Sequence, residues 1–315
     1  MVRRMNQTGG PIVSVDVPSG LDADSGAELG ACVYADLTVS FARYKPGLLC
    51  GAGVRAAGTL VVEDIGLPRG PELSLARMYQ PGDVGWPVRG PDDHKGTHGH
   101  LLVVAGSARM AGAAVLCGLG AMAAGTGRIT LLAPRGAAPR LEALPPEIMW
   151  HIHGDGDVLA DLPDGLLGGA DAVVAGPGLG GGAPLPSALA KGLSRWWEES
   201  ELPMLFDADA LVVARKPAGG PRVMTPHPGE AGRLLDVPTA SVTAARFDAA
   251  RKLSHTGAVS VLKGPYSIVS HPEGNLSVNP TNSPLLASGG TGDVLAGLVG
   301  GLMARGLSPL SLIHI

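Results

Sequence analysis

The 315-residue chain predicts an α/β fold in which a mainly parallel sheet carries helices on both faces. Three observations lead there. From His100 onward, apolar runs of strand length alternate with longer stretches of helical period. The 48 glycines and 27 prolines stand singly at the ends of those runs, punctuating units rather than forming a low-complexity tract. Farther along, Gly289-Gly-Thr-Gly-Asp293 opens a stretch with apolar residues at 294, 295, 298, 299, 302 and 303, the spacing of a buried helix.

Residues 12–17 read as a strand that ends in the turn Pro18-Ser-Gly-Leu-Asp22, at the strand end where ligands of open α/β sheets gather. Residues 35–41 and 59–63 read as two further strands, with Lys45-Pro-Gly47 as a turn between them. So few strands within residues 1–66, with hardly any helix, would leave sheet faces uncovered; this stretch is expected to be the tail of a larger domain. The Pro- and Gly-rich residues 67–93 are expected to be a linker, and residues 94–315 a second domain. There, strands are expected at 101–105, 128–133, 172–175, 204–206, 223–224, 259–262 and 267–270. Helices are expected at 110–124, 185–198, 208–214, 229–235 and 241–255, ahead of the one opened by the glycine turn. Gly306 and Pro309 close that helix, and the uncharged residues 310–315 suggest a truncated final layer.

A hydrophobic content of 45% is ample for such cores, and a formal charge of −4 with 24 scattered lysines and arginines implies no nucleic-acid partner. Cys32, Cys50 and Cys117 are odd in number and far apart, which fits neither a disulfide framework nor a zinc spacing and suits a reducing cytosol. His94, His98 and His100 lack the acidic or cysteine partners of a metal site. Neither an export signal nor a run long enough to span a membrane is present, so a cytoplasmic protein is expected.

The glycine turn carries the sharpest chemical signal. Backbone N–H groups at a helix start lack internal partners and face outward with the positive end of the helix dipole, which suits a phosphate. Asp293 beside it is placed to take a proton from a substrate hydroxyl; the plainer alternative is that Thr291 or Asp293 only caps the helix. The dipole is expected to keep Asp293 ionised. Further turns follow other strands. Gly176-Pro-Gly-Leu-Gly180 lets backbone approach a ligand, and Thr225-Pro-His-Pro-Gly-Glu230 fixes the direction of His227 between two prolines. Lys263-Gly264 puts a cation at a strand end. Asp207-Ala-Asp209 supplies two acids, of which Asp209 fits an N-cap better than a ligand.

In this order these turns closely resemble a bacterial family that repairs hydrated NADH and NADPH, a fusion of an epimerase and an ADP-dependent NAD(P)H-hydrate dehydratase. The resemblance rests on His94-Lys-Gly-Thr-His-Gly-His-Leu-Leu-Val-Val-Ala-Gly-Ser107, Pro146-Glu-Ile-Met149, Gly176-Pro-Gly-Leu-Gly180, Asp207-Ala-Asp-Ala-Leu211, Thr225-Pro-His-Pro-Gly-Glu230, Leu262-Lys-Gly264 and Gly289-Gly-Thr-Gly-Asp-Val-Leu-Ala-Gly297. Upstream, Val15-Asp-Val-Pro-Ser-Gly-Leu-Asp22 and Ala35-Asp-Leu-Thr-Val-Ser-Phe41 resemble the end of the epimerase domain. It implies a ribokinase-like α/β domain preceded by an incomplete Rossmann-like one. ADP would be the phosphoryl donor, with Mg2+, and the hydrated cofactor would return as NADH or NADPH with release of AMP and phosphate. Asp293 would be the catalytic base; Ala113, Gly178, His227 and Asp293 would bind the hydrated cofactor. Lys263, Gly264, Pro265, Tyr266, Ser267 and Gly292 would bind ADP. In the epimerase remnant, Asp16 would contact substrate and Ser19 would help hold a potassium ion, although residues 1–66 by themselves are not expected to epimerise. A homo-oligomer is implied, with no membrane or nucleic-acid partner.

Two departures from the family pattern stand out. Thr281-Asn-Ser-Pro-Leu285 replaces the usual Thr-Gly-Asn-Pro-Gly, and Pro265-Tyr-Ser267 replaces Ala-Gly-Thr, removing one backbone donor. The rival readings are a sugar or hydroxymethylpyrimidine kinase of the same fold, and a nucleotide-binding fragment without activity.

Overall fold

A computed structural model describes residues 1–67, 75–79, 85–142 and 144–309. The expected tail at 310–315 lies outside the described residues, as does much of 67–93. A short helix α1 (Val2–Met5) precedes three strands, β1 (Val13–Val15), β2 (Leu37–Phe41) and β3 (Thr59–Glu63), which pair in parallel in the order β1-β2-β3. Helix α2 (Gly53–Ala56) lies between β2 and β3, and a small core of Leu21, Cys32, Leu48, Ala56 and Ala57 sits beside the sheet. Val13 and Val15 stay 58% and 66% exposed, as expected for a sheet with an uncovered face.

The rest of the chain forms one large sheet. Its strands are β4 (Arg77–Met78), β5 (His100–Val104), β6 (Arg128–Ala133), β7 (Ile148–Ile152), β8 (Ala172–Ala175), β9 (Met204–Phe206), β10 (Arg222–Met224), β11 (Val259–Leu262), β12 (Ile268–Ser270) and β13 (Leu276–Val278). They lie in the order β4-β13-β12-β11-β10-β9-β8-β5-β6-β7, and every pair from β11 to β7 is parallel. Only β12 runs against them; β13, antiparallel to β12, returns to the common direction. From β5 the chain adds β6 and β7 on one side, then returns to add β8 to β11 on the other. The ends of β5 and β8 therefore form the switch point at which such sheets bind ligands.

Alternation along the strands builds two cores. Leu101, Val103, Leu205 and Val223 face a layer made by α3 (Ala111–Ala123) and, later in the chain, the helix at Thr291–Ala304. Leu102, Val104, Phe206 and Met224 face the opposite layer, which contains α5 (Ser187–Glu199), α6 (Pro228–Leu235) and α8 (Arg246–Leu253). Between these helices lie α4 (Ala138–Leu141), after β6, and α7 (Thr239–Ala244), after α6; the helix at Thr291–Ala304 is α9. No helix among the described residues is long and apolar enough to cross a membrane.

Helices α3 and α9 meet through glycine. A methyl group placed on Gly120 would collide with the Val294 carbonyl, and one on Gly297 with the Cys117 carbonyl. The two backbones thus approach to a distance that any larger residue would prevent. Burial keeps the Cys117 thiol protonated far above its ordinary range, so it is a packing group.

Several expectations are corrected. The stretch 67–93 contributes β4, which pairs with β13 at the sheet edge, and Pro87, whose carbonyl accepts a hydrogen bond from Arg305. Residues 241–255 are not one helix: Ala245, at φ −136°, breaks α7 from α8. Residues 208–213 wind as a 3-10 helix rather than an α-helix.

Candidate active site

The turns after β8, β9, β10 and β11 lie at the carboxyl ends of parallel strands and the glycine turn opens α9, whereas His94–Gly99 leads into the amino end of β5. Gly290 caps α9 in the left-handed conformation at φ 90°, which glycine adopts without strain, and no side chain caps the amides that follow. The capping alternative for Thr291 and Asp293 is thereby excluded. Thr291 Oγ1 donates to the carbonyls of Leu286 and Ser288, tying the preceding 3-10 turn, Pro284–Leu286, to the helix. That turn, at the site of the departure in 281–285, leaves Leu285 85% exposed.

Asp293 follows in the first helical turn, half-buried. Among the described residues its carboxylate has no hydrogen bond or ion pair. Burial and then the nearby Asp207 carboxylate raise its pKa above the ordinary 3.8, against the pull of Lys263. The expected acidifying effect of the helix start is thus outweighed, which makes Asp293 a better base than the sequence suggests.

Lys263, just past β11, is not a free exposed cation. Its Nζ lies 2.9 Å from Asp207 Oδ1 and 3.9 Å from Glu230 Oε2. Asp207, at the end of β9, is 2% exposed. A methyl group built on Gly292 would stand 3.4 Å from Lys263 Nζ and 3.8 Å from Asp207 Oδ2, so the ion pair lies beside the start of α9. Lys263 and Gly292, both expected at the ADP site, are therefore brought together. Sequence reading noted Asp207 as an acid after a strand but gave it no partner.

His227 is the N-cap of α6. Its Nδ1 accepts hydrogen bonds from the amides of Gly229 at 3.0 Å and Glu230 at 3.3 Å, so its proton resides on Nε2. Glu230 accepts the His227 amide at 2.8 Å, completing a capping box, and its Oε1 is 3.3 Å from Nε2. The imidazole remains 52% exposed, rigid at its base and open to a ligand.

The switch point brings Gly178 and Ala113 together. At Gly178, with φ 67°, a methyl group would lie 2.9 Å from Met110 Cβ and 3.0 Å from Ala113 Cβ. Gly106 donates to the Pro177 carbonyl at 2.7 Å, closing β5 onto this turn. Asp209 is no N-cap; its Oδ2 accepts the Gly180 amide at 2.8 Å and braces the turn from the β9 side.

The loop after Lys263 has support that the sequence did not announce. Arg246 of α8, 4% exposed, donates to the Pro265 carbonyl and, at 3.4 Å, to that of Leu262. Gly264, at φ 141°, leaves room for that guanidinium, and Tyr266 is held at φ 48°. Ser267 Oγ donates to the Gly264 carbonyl at 3.1 Å. Pro265 withholds an amide, yet its carbonyl anchors the loop.

Asp16 and Ser19 lie in the segment that follows β1. Asp16, at φ 67°, accepts hydrogen bonds from Lys45 Nζ and from the Phe41 amide at 3.0 Å. Burial would raise its pKa, but Lys45 and the Phe41 amide outweigh that and lower it. Ser19 is exposed, and its carbonyl accepts the Val33 amide.

A family model described as NAD(P)H-hydrate dehydratase matches residues 101–313, and one described as the YjeF-related protein N-terminus matches residues 1–47. Among curated proteins, a bifunctional NAD(P)H-hydrate repair enzyme of Escherichia coli (strain K12) is 39% identical over 98% of this chain and 59% of its own length. One of Moorella thermoacetica is 35% identical over 98% and 61%. The chain thus spans about six-tenths of the length of these relatives. The solved ADP/ATP-dependent NAD(P)H-hydrate dehydratase of Bacillus subtilis, co-crystallized with ATP/Mg2+, shares 32% identity at a TM-score of 0.61, covering 72% of this chain and 80% of that one. A ribokinase-like superfamily protein of Enterococcus faecalis V583 shares the fold at a TM-score of 0.61 and 23% identity, covering 76% and 83%. The fold is shared with these structures, and the chain belongs to the NAD(P)H-hydrate dehydratase family.

Proposed function

We propose that this chain uses ADP to dehydrate the S form of hydrated NADH or NADPH, releasing AMP and phosphate. The observation that carries the reading is the convergence of Asp293, the uncapped start of α9 and the Lys263–Asp207 pair at one end of the parallel sheet. Hydroxide is a poor leaving group, so the ring hydroxyl must first be phosphorylated. Asp293 takes the hydroxyl proton as its oxygen bonds to the β-phosphorus of ADP and the bond to AMP breaks. The amides of residues 290–292 and Lys263 hold the charge of the group in transit. The lone pair on the ring nitrogen then expels phosphate, and loss of a proton from the adjacent ring carbon restores the double bond. No redox change occurs.

His227 and the Gly178 turn, next to Ala113, orient the nicotinamide side, while residues 263–267 and Gly292 hold the donor. Mg2+ arriving with the nucleotide would offset the charge of its phosphates. Asp293, with Asp207 near it, supplies carboxylates that would be at hand to such an ion. Asp16, Lys45 and Ser19 belong to the part that resembles the epimerase, within residues 1–47; there Asp16 would contact substrate and Ser19 would help hold a potassium ion. The three buried free thiols suit a reducing cytosol.

Purified protein incubated with hydrated NADH, ADP and Mg2+ should restore NADH absorbance with one AMP and one phosphate per turnover. Phosphorylated product accumulating without NADH would favour the kinase reading. ADP binding without any chemistry would favour a nucleotide-binding module.

A further inference from the structure

A cleft of about 720 Å3 opens beside the site, between the loop after β8 and helix α6. Glu230 and Asp209 form part of its wall, and these are the residues that brace the His227 and Gly178 turns. The cleft thus lies behind the His227 and Gly178 turns, sharing with them the residues that hold them. The expected donor loop lies farther along the sheet, past β11. Apolar wall is supplied by Ala183, Leu211, Val212 and Leu234. Two guanidinium groups, Arg215 and Arg233, also line it.

Arg215 donates to the Arg233 backbone carbonyl, which fixes it against the last turn of α6. Neither arginine takes part in an ion pair among the described residues, although Asp209 and Asp236 lie on the same wall. Two exposed, unneutralised guanidinium groups beside an apolar face suit a phosphate joined to a flat heterocycle.

We propose that this cleft receives the adenosine half of the hydrated dinucleotide, with Arg215 and Arg233 contacting its phosphates and the apolar wall carrying adenine. The assignment rests on the dehydratase reading for its substrate and adds two residues to its recognition. A contact to the pyrophosphate serves hydrated NADH and NADPH alike, whereas a contact to the 2′-phosphate serves only the latter.

The test compares the wild-type chain with the Arg215→Ala/Arg233→Ala double variant and with Arg215→Lys/Arg233→Lys. Calorimetry measures binding of NADPH and NADH themselves, and kinetics measure KM for each hydrated form and for ADP. The alanine double variant should lose roughly tenfold in NADPH affinity and gain a similar factor in hydrated-cofactor KM, with kcat and the KM for ADP unchanged. The lysine variant should recover part of the loss, and its melting temperature serves as the folding control. An effect on both cofactors assigns the pyrophosphate; one confined to NADPH assigns the 2′-phosphate. Undetectable NADPH binding in the wild type, or equal affinity in wild type and alanine variant, overturns the assignment whatever the turnover. Loss of turnover with NADPH binding intact and arginine-dependent would instead overturn the dehydratase reading alone.

Discussion

Lys263 Nζ donates to Asp207 Oδ1 at 2.9 Å, so the cation that would meet the donor phosphates is already held by a buried carboxylate. The pair sets the electrostatics of Asp293 from both directions: Asp207 raises its pKa and Lys263 lowers it. Since the base must be ionised to act, the acidic limb of kcat against pH should lie above the ordinary aspartate value of 3.8. Lys263→Met should move that limb upward and Asp207→Asn downward, measured at saturating ADP. Identical limbs in all three proteins would rule out Asp293 as the titrating base.

Asp293→Asn separates chemistry from folding. Loss of the base should reduce turnover by roughly 10²–10⁴-fold while ADP still binds. Because the folded-state pKa is raised, the ionised carboxylate disfavours the fold. Stability therefore falls as pH rises from the unfolded value through the raised one, and stays lower above it. The asparagine variant should accordingly melt at a higher temperature than the wild type at neutral pH, read by scanning calorimetry.

Arg246 holds the loop proposed to bind ADP through the Pro265 carbonyl, which would make it a positioning residue. Arg246→Met should raise the KM for ADP with little change in the KM for hydrated NADH. Arg246→Lys should recover part of the loss, because one donor still reaches that carbonyl. Equal changes in both KM values would indicate a general loss of structure instead.

Arg222 makes a stability test remote from the site. Its buried guanidinium donates to the carbonyls of Trp196, Trp197, Ser200 and Leu202, closing the C-terminal end of α5 from a neighbouring strand. Burial lowers its pKa to about 10, so it stays charged at neutral pH. Arg222→Met should cost on the order of 3 kcal/mol in urea unfolding, as buried carbonyls lose their donors, with kcat little changed.

Much of this architecture is legible in the chain. The inner parallel strands are continuous apolar runs because helices cover both faces, and the α9 turn announces itself by glycine spacing. The edge strands β4 and β7, and β13 beside β4, are harder to read. Met149 and Trp150 are exposed, and β4 is two residues long, so periodicity has little to act on. At the site, His227, Lys263, Gly178 and Asp293 lie in legible turns. The pairing of Asp207 with Lys263 joins residues 56 apart, and the Arg246 anchor depends on which helix packs behind the loop. Local pattern carries no record of either. Asp209 was misread because an acid just past a strand resembles an N-cap until the neighbouring turn is seen to need an acceptor.

The glycine seam between α3 and α9 admits a direct test as well. Gly297→Ala should destabilise by roughly 1–3 kcal/mol, since its methyl group has only the Cys117 backbone to displace. Turnover should fall along with stability, because any relief of the clash shifts the start of α9.

That seam also determines where the chain tolerates change. Ala113 rides on α3 and Asp293 on α9, so the residue proposed to meet the substrate and the proposed base sit on two helices locked backbone to backbone. The positions least forgiving of substitution should then be glycines that touch no ligand, and a mutational scan read only for chemistry would mistake them for the active site.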